Sequence, residues 1–267
     1  QTPFPRISYD TAMEKYGVDR PDLRFGMEIS EITDIAKESE FKVFAQAANS
    51  GKLVAGICAP GCASYSRKQQ DDLAAWARQR GAGGLAAIKV GAGVFEGSLA
   101  KFFNAEQTAA IIAAFGANEG DMLFFCAEER DITRQILAEL RVEMAKRLDM
   151  IDENEMNLAW VVDFPLVEWS ADQGRYVALH HPFTSPVAED EQKLTTEPGA
   201  VRARAYDLIL NGLEVAGGSI RISRREMQSK MFETLKISSS EAEEKFGFLL
   251  EALKYGATPH GGIAFGF

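Results

Sequence analysis

Basic residues are outnumbered in this chain. Its 29 lysines and arginines stand against 39 aspartates and glutamates, for a net charge of −10. That balance lacks the basic face of a dedicated nucleic-acid binder. It still leaves room for a local basic groove on an enzyme that meets RNA with part of its surface. Long apolar runs are missing too. None approaches the ~20 residues of a membrane span, and no basic stretch with an apolar segment and small-residue cleavage site marks secretion. Cysteines number three, Cys58, Cys62 and Cys126, an odd set that fits a reducing cytoplasm better than a disulfide framework. Cys58-x-x-x-Cys62 has neither redox spacing nor a partner pair, which argues against zinc. What remains, 267 residues of which 46% are hydrophobic, is the composition of a globular chain longer than one typical domain.

Three zones follow one another. In residues 1–24, Ser8 reads as an N-cap and Tyr9 to Tyr16 as a short helix stopped by Gly17. Residues 25–152 are rich in alanine and glycine and alternate strands with helices. Strands are expected over Phe41–Ala47, Leu53–Ile57, Leu85–Val90 and Met122–Cys126. Helices are expected over Lys68–Arg80, over Ala105–Phe115 between the Asn104 cap and Gly116, and over Asp131–Leu148. The last carries Ile132, Ile136, Leu140, Met144 and Leu148 at helical spacing. This zone reads as a small α/β domain able to fold alone.

In residues 153–267 strands dominate. Leu158–Phe164 is expected to be covered on both faces, and Arg175–His181 returns after a turn. Tyr206–Ile222 is a strand pair. Ser240-x-x-Glu243 reads as a capping box opening a helix that Lys254 and Gly256 close. A final apolar strand, from Gly262, reads as buried. Hairpin connections argue for an antiparallel sheet with helices packed on it. The whole chain is thus α+β, interrupted by the smaller α/β domain.

Asn211-Gly212 between apolar alternations is the strongest hairpin signal in the chain. With that loop, Leu210 faces Leu213 and Ile209 faces Glu214. Asp207 shares the face of Ile209, so Asp207 and Glu214 become diagonal neighbours, roughly 7–8 Å apart at the backbone. Such a pair suits a magnesium ion that also carries nucleotide phosphates; the alternative is that both face solvent. Gly217-Gly218 inside a strand marks a bulge or a close backbone approach. Arg221, between Ile220 and Ile222, suits bidentate capture of a carboxylate, or stands exposed on the sheet. His180 and His181 precede Pro182, and metal ligation is not expected because no third ligand lies at metal spacing. They read as a polar pair lining a pocket, or as one structural and one exposed residue. Gly91-x-Gly93 and Gly81-x-Gly83-Gly84 lack the rest of a phosphate motif and read as turns.

Taken together these segments resemble the bacterial-type aspartyl-tRNA synthetase family of class II. Pro3-Phe4-Pro5-Arg6 and Tyr16-Gly17-x-Asp19-Arg20-Pro21-Asp22-Leu23-Arg24 are similar to the segment that follows motif 2, with Arg20 where members often have Lys. Trp160-Val161-Val162-Asp163-Phe164-Pro165 and His180-His181-Pro182-Phe183-Thr184 resemble a family strand and its histidine pair. Asp207 through Glu214, then Gly217-Gly218-Ser219-Ile220-Arg221-Ile222, resemble the nucleotide and aspartate segment, with Ala216 where a third Gly is usual. Pro259-His260-Gly261-Gly262 leads towards motif 3. Residues 25–152 resemble the insertion (GAD) domain between motifs 2 and 3, flanked by catalytic-core segments over 1–24 and 153–267.

The resemblance implies a partial class II antiparallel sheet and an aspartate–tRNA ligase. Its reaction forms aspartyl-adenylate from L-aspartate and ATP with Mg2+, then passes the aspartyl group to the tRNA. Asp207 and Glu214 would hold magnesium, and Glu214, Gly266 and Phe267 would contact ATP. Arg221 would pair with the aspartate side chain, His180 would line its pocket, and His181 would stand beside it. A homodimer and a cytoplasmic location are implied for the full-length enzyme. Whether asparagine tRNA is charged as well is left open. Motif 1, the Phe-Arg-x-Glu of motif 2, the anticodon-binding domain and the motif 3 arginine are not in these 267 residues. The expectation is a catalytically incomplete piece that cannot activate aspartate by itself. The competing reading is a non-catalytic module that binds RNA or protein through the GAD domain.

Overall fold

Local capping chemistry sets several of the helix starts. Ser66 and Gln69 form a reciprocal capping box, as do Asn104 and Gln107; each satisfies backbone N–H groups that a first turn leaves open. The computed structural model describes residues 2–266. In chain order it runs β1 (Arg6–Ser8), α1 (Tyr9–Lys15), β2 (Ser30–Glu31), α2 (Thr33–Lys37), α3 (Lys42–Asn49) and β3 (Leu53–Ala59). Then come α4 (Arg67–Arg78), β4 (Ala86–Val90), β5 (Phe95–Glu96), α5 (Ala105–Phe115), β6 (Met122–Glu128) and α6 (Arg130–Arg147). The chain continues through β7 (Leu158–Val162), β8 (Val167–Ser170), β9 (Arg175–Ala178), β10 (Ala205–Leu210) and β11 (Leu213–Ile220). It closes with α7 (Arg225–Thr234), α8 (Ser239–Lys254) and β12 (Gly261–Phe265). Two compact units result: Thr11–Asn157, and the residues up to Asp10 together with those from Leu158 onward.

In the first unit the sheet order is β2-β3-β6-β4-β5, antiparallel throughout. Strand alternation sends Leu53, Ala55, Ile57 and Phe124 to one face, against Leu73 and Ala77 of α4 and Ile136, Leu140 and Met144 of α6. Val54, Ile88, Leu123 and Phe125 point the other way, against Ala36 of α2, Phe44 of α3 and Ile111 of α5. Two expectations fail here. Phe41–Ala47 is not a strand: Lys42–Asn49 is helical, because Phe44, Ala47 and Ala48 recur at helical spacing and bury together. On α6 the core face is one position away from that expected at the N-terminal end. Ile132 stays largely exposed, while Thr133, Leu137 and Arg141 are buried.

Arg141 is buried and is held by main chain. Its Nε donates to Met27 O at 2.7 Å and its Nη2 to Gly26 O at 3.0 Å. The rings of Tyr16 and Phe25 flank the guanidinium at 4.7 and 5.0 Å. Burial pushes its pKa down to about 10, so it keeps its charge at neutral pH.

In the second unit the sheet order is β1-β7-β10-β11-β12, with β1 parallel to β7 and the other pairs antiparallel. β8 and β9 form a separate hairpin. Several expectations are corrected. β7 alternates buried and half-buried residues, so it is covered on one face and not two. β9 stops at Ala178, which leaves His180 and His181 beyond the strand. The cap of α8 is Ser238, whose hydroxyl accepts from Glu241 N, so the box expected at Ser240 sits two residues too late. The final strand is not buried: Ile263 and Phe265 are 45% and 55% exposed on the sheet edge. Phe232 and Phe246 stack, and Phe183 meets both edge-on, at centroid distances of 5.0–6.3 Å, which ties α7 and α8 to the segment after the histidines.

Candidate functional site

The site is built on the β10–β11 hairpin. Asn211 and Gly212 take positive φ values of 51° and 85°, as a two-residue turn of this kind requires. Leu210 pairs with Leu213 and Ile209 with Glu214, but Leu208 then pairs with Ala216, so Val215 is an extra, bulged residue. The bulge puts Glu214 and Gly217, three positions apart, on one sheet face, where Asp207 lies directly across from Gly217. Both carboxylates lean over that glycine. A Cβ placed on Gly217 would lie 2.8 Å from Asp207 Oδ1 and 2.8 Å from Glu214 Oε1. Two acid oxygens therefore converge on one small space that a side chain would fill. The bulged residue is also used: its carbonyl accepts from Gly266 N at 3.0 Å.

Gly218 faces the other way and is required for a different reason. A Cβ there would lie 2.0 Å from Gly262 O, inside the neighbouring strand's backbone. Tyr206, on that same face, donates its hydroxyl to Gly262 O at 3.0 Å and closes the β11–β12 seam.

Two and four residues beyond Gly217, Ser219 and Arg221 continue the carboxylate face. Segment 183–185 runs beside 220–222: Ile222 N donates to Phe183 O at 2.8 Å, and Ser185 N to Ile220 O at 2.9 Å. That pairing carries His181 to Arg221. Phe183 N–H and Arg221 Nη1 both donate to His181 Nδ1, each at 3.2 Å. An amide and a guanidinium have only donors to offer, so Nδ1 is the bare nitrogen and the proton sits on Nε2. Nε2–H then faces Ser219 Oγ at 3.3 Å, and Arg221 Nη1 donates to the same oxygen at 2.8 Å. Burial first, then the Arg221 charge and His180, holds the His181 pKa down at about 4, which keeps the imidazole neutral and able to accept. Behind it, the buried Gln228 of α7 donates Nε2 to Pro182 O at 2.8 Å and fixes the histidine segment.

The arrangement leaves one end of the guanidinium available. Among the described residues, Arg221 Nη1 is taken by an imidazole and a hydroxyl, and no carboxylate pairs with the group. A fixed cation beside neutral hydrogen-bonding partners suits a carboxylate from outside the chain. His180 is exposed, with its ring 4.8 Å from Phe164. Gly266 reaches the hairpin through its amide, and Phe267 lies outside the described residues. Ser219 was missed in the sequence. The available signal was its place two residues before Arg221, hence on the same strand face.

The model of the family described as tRNA synthetases class II (D, K and N) matches residues 1–267. The chain is 50% identical over 264 residues to the aspartate–tRNA(Asp/Asn) ligase of Natranaerobius thermophilus, covering 99% of this chain and 45% of that protein. It is 51% identical over 268 residues to the ligase of the same name from Desulfatibacillum aliphaticivorans, with 100% and 45% covered. With the aspartate–tRNA ligase of Halalkalibacterium halodurans it shares 52% over 265 residues, with 99% and 44% covered. The chain spans less than half the length of these curated relatives. Matched from end to end by the family's model, this chain belongs to the class II (D, K and N) tRNA synthetases.

Proposed function

We propose that the protein is part of an aspartate–tRNA ligase and carries the aspartate-reading side of its active site. The single observation behind this is the Arg221 guanidinium, braced by Ser219 and neutral His181 on the same sheet face as Asp207 and Glu214. Arg221 takes the side-chain carboxylate of L-aspartate in a charge-assisted pair. His181 and Ser219 hold the guanidinium in one orientation, so little rotamer entropy is lost on binding. His180 borders the pocket.

Asp207 and Glu214 fit a magnesium ion carried by ATP, since two acid oxygens converge where Gly217 leaves space and phosphates complete such a site. When bound, the ion supplies charge neutralisation at the phosphates during adenylate formation. Gly266 would contact the nucleotide. The amino-acid carboxylate attacks the α-phosphate of ATP and pyrophosphate leaves; a hydroxyl of the terminal ribose of a tRNA specific for aspartate, or for aspartate and asparagine, then takes the aspartyl group, and AMP leaves. The protein works by positioning and charge stabilisation, with no covalent enzyme intermediate. Residues 25–152 act as the GAD domain, flanked by core segments over 1–24 and 153–267. The full-length enzyme works as a cytoplasmic homodimer. Among the described residues no helix is long and apolar enough to cross a membrane.

Calorimetric titration with a non-hydrolysable aspartyl-adenylate analogue tests this reading. Saturable binding that Arg221→Ala removes, with the fold intact, is the expected result. Binding of tRNA with no affinity for the analogue would favour the RNA-binding module instead. By itself the 267-residue chain is expected to give no aspartate-dependent ATP–pyrophosphate exchange; exchange would mean that these residues suffice for activation.

A further inference from the structure

The β2-β3-β6-β4-β5 sheet has an unfinished edge. β4 pairs with β6 over Ala86–Lys89, but with β5 only at Lys89 and Val90. Val90 bonds towards the β6 side, through its N–H to Asp121 O and its carbonyl to Gly120 N, each at 2.9 Å. Alternation then turns Ala86 and Ile88 to β6 and the N–H and C=O groups of Leu85 and Ala87 outward. Among the described residues nothing pairs with those outward groups.

This edge is the floor of an open groove of about 950 Å³ that wraps onto both sheet faces. One wall is Tyr65, Ala74 and Arg78; the other is Phe41, Val43 and Leu99. The glycine run before β4 shapes its end. Gly83 N donates to Glu128 Oε1 at 2.9 Å, and open space surrounds Gly84. The lining carries three basic and three acidic side chains. Arg67 pairs with Asp71, and Glu128 pairs with Lys52. Arg78 and Lys89 are the lining cations without an ion pair among the described residues, and Lys89 has Glu96 across from it in the β4–β5 register.

We propose that this groove binds an extended peptide segment as an added strand on β4, placing an apolar side chain against Phe41, Val43 and Leu99 and an acidic one against Arg78. A strand matches alternating donors and acceptors and sends its side chains to both walls, which is the shape of the groove. A nucleic-acid backbone would offer acceptors only and would call for a net basic lining. This site is independent of the aspartate chemistry on the other sheet.

The test is an amide NMR titration of the whole chain with a capped octapeptide alternating valine and aspartate. Saturable shifts at Leu85, Ala87 and Arg78 are expected. A fully N-methylated copy of the peptide should lose binding. Arg78→Glu should weaken it about tenfold, the scale of one charge-assisted hydrogen bond. Ala87→Pro, an edge position where the missing N–H leaves the ladder to β6 intact, should do the same with an otherwise unchanged spectrum. No shift up to about 1 mM peptide, or equal binding of the N-methylated copy, overturns the proposal. So does an octauridylate that binds where the peptide fails, or a concentration-dependent dimer that already protects the Leu85 and Ala87 amides.

Discussion

The two five-stranded sheets solve different problems with similar lengths of strand. In β2-β3-β6-β4-β5 the central strands β3 and β6 are buried on both faces and carry apolar runs, so almost every side chain is spent on packing. In β1-β7-β10-β11-β12 the strands alternate, two adjacent glycines interrupt β11, and charged groups share one face. The lesson is a division of labour along the pleat. Continuous apolar burial makes a rigid scaffold, whereas a sheet that leaves one face polar can carry a site, at the cost of weaker packing.

The sharpest way to break that comparison is to cut each sheet and ask which unit fails. Phe124→Ala empties a fully buried site and should cost about 3–5 kcal/mol, read as faster amide exchange across β3 and β6 with β10 and β11 unchanged. Gly218→Val drives a side chain into Gly262 O and should cost about 3 kcal/mol, this time opening the β11–β12 seam and sparing β6. If either variant destabilises both sheets equally, the division fails.

A smaller effect is gated by pH. His181 titrates near 4 in the folded chain and near its ordinary value of about 6.5 unfolded. Between those values the unfolded chain binds the extra proton. Stability should therefore rise as pH climbs from about 4 to 6.5 and level off above. Urea melts against His181→Asn, which cannot titrate, isolate that slope; parallel curves would contradict the neutral, accepting imidazole.

Gly217→Ala tests the neighbouring glycine. Its added Cβ meets only the mobile ends of Asp207 and Glu214, so stability should change by under about 1 kcal/mol while any magnesium-dependent gain in ATP affinity is lost. Smallest of all is Phe265→Ser on the exposed edge strand, expected to stay within about 0.5 kcal/mol.

Much of this was legible because local rules decided it. The Asn211-Gly212 hairpin, the Asn104 cap and the Gly116 stop were each set by a few adjacent residues, and the hairpin alone put Asp207 and Glu214 on a common face. What could not be read came from partners distant in sequence. Phe41–Ala47 has the β-branched and aromatic look of a strand, yet packing on the sheet rewards its helical spacing. The Val215 bulge has no composition signal, and it alone brings Gly217 between the carboxylates. The strand stops at Ala178, before Pro182 is reached, and only the 183–185 pairing could show that His181 reaches Arg221.

The central claim is that Arg221, braced by Ser219 and His181, reads a negative side chain. The direct measurement is the ratio of dissociation constants for aspartyl- and asparaginyl-adenylate analogues, with the native chain and with Arg221→Leu. A preference for the aspartyl analogue of about 10–100-fold, matching a charge-assisted pair of about 1.5–3 kcal/mol, that collapses towards unity in the variant is the predicted result. Equal affinity for both analogues in the native chain, or a preference that survives Arg221→Leu, would contradict it.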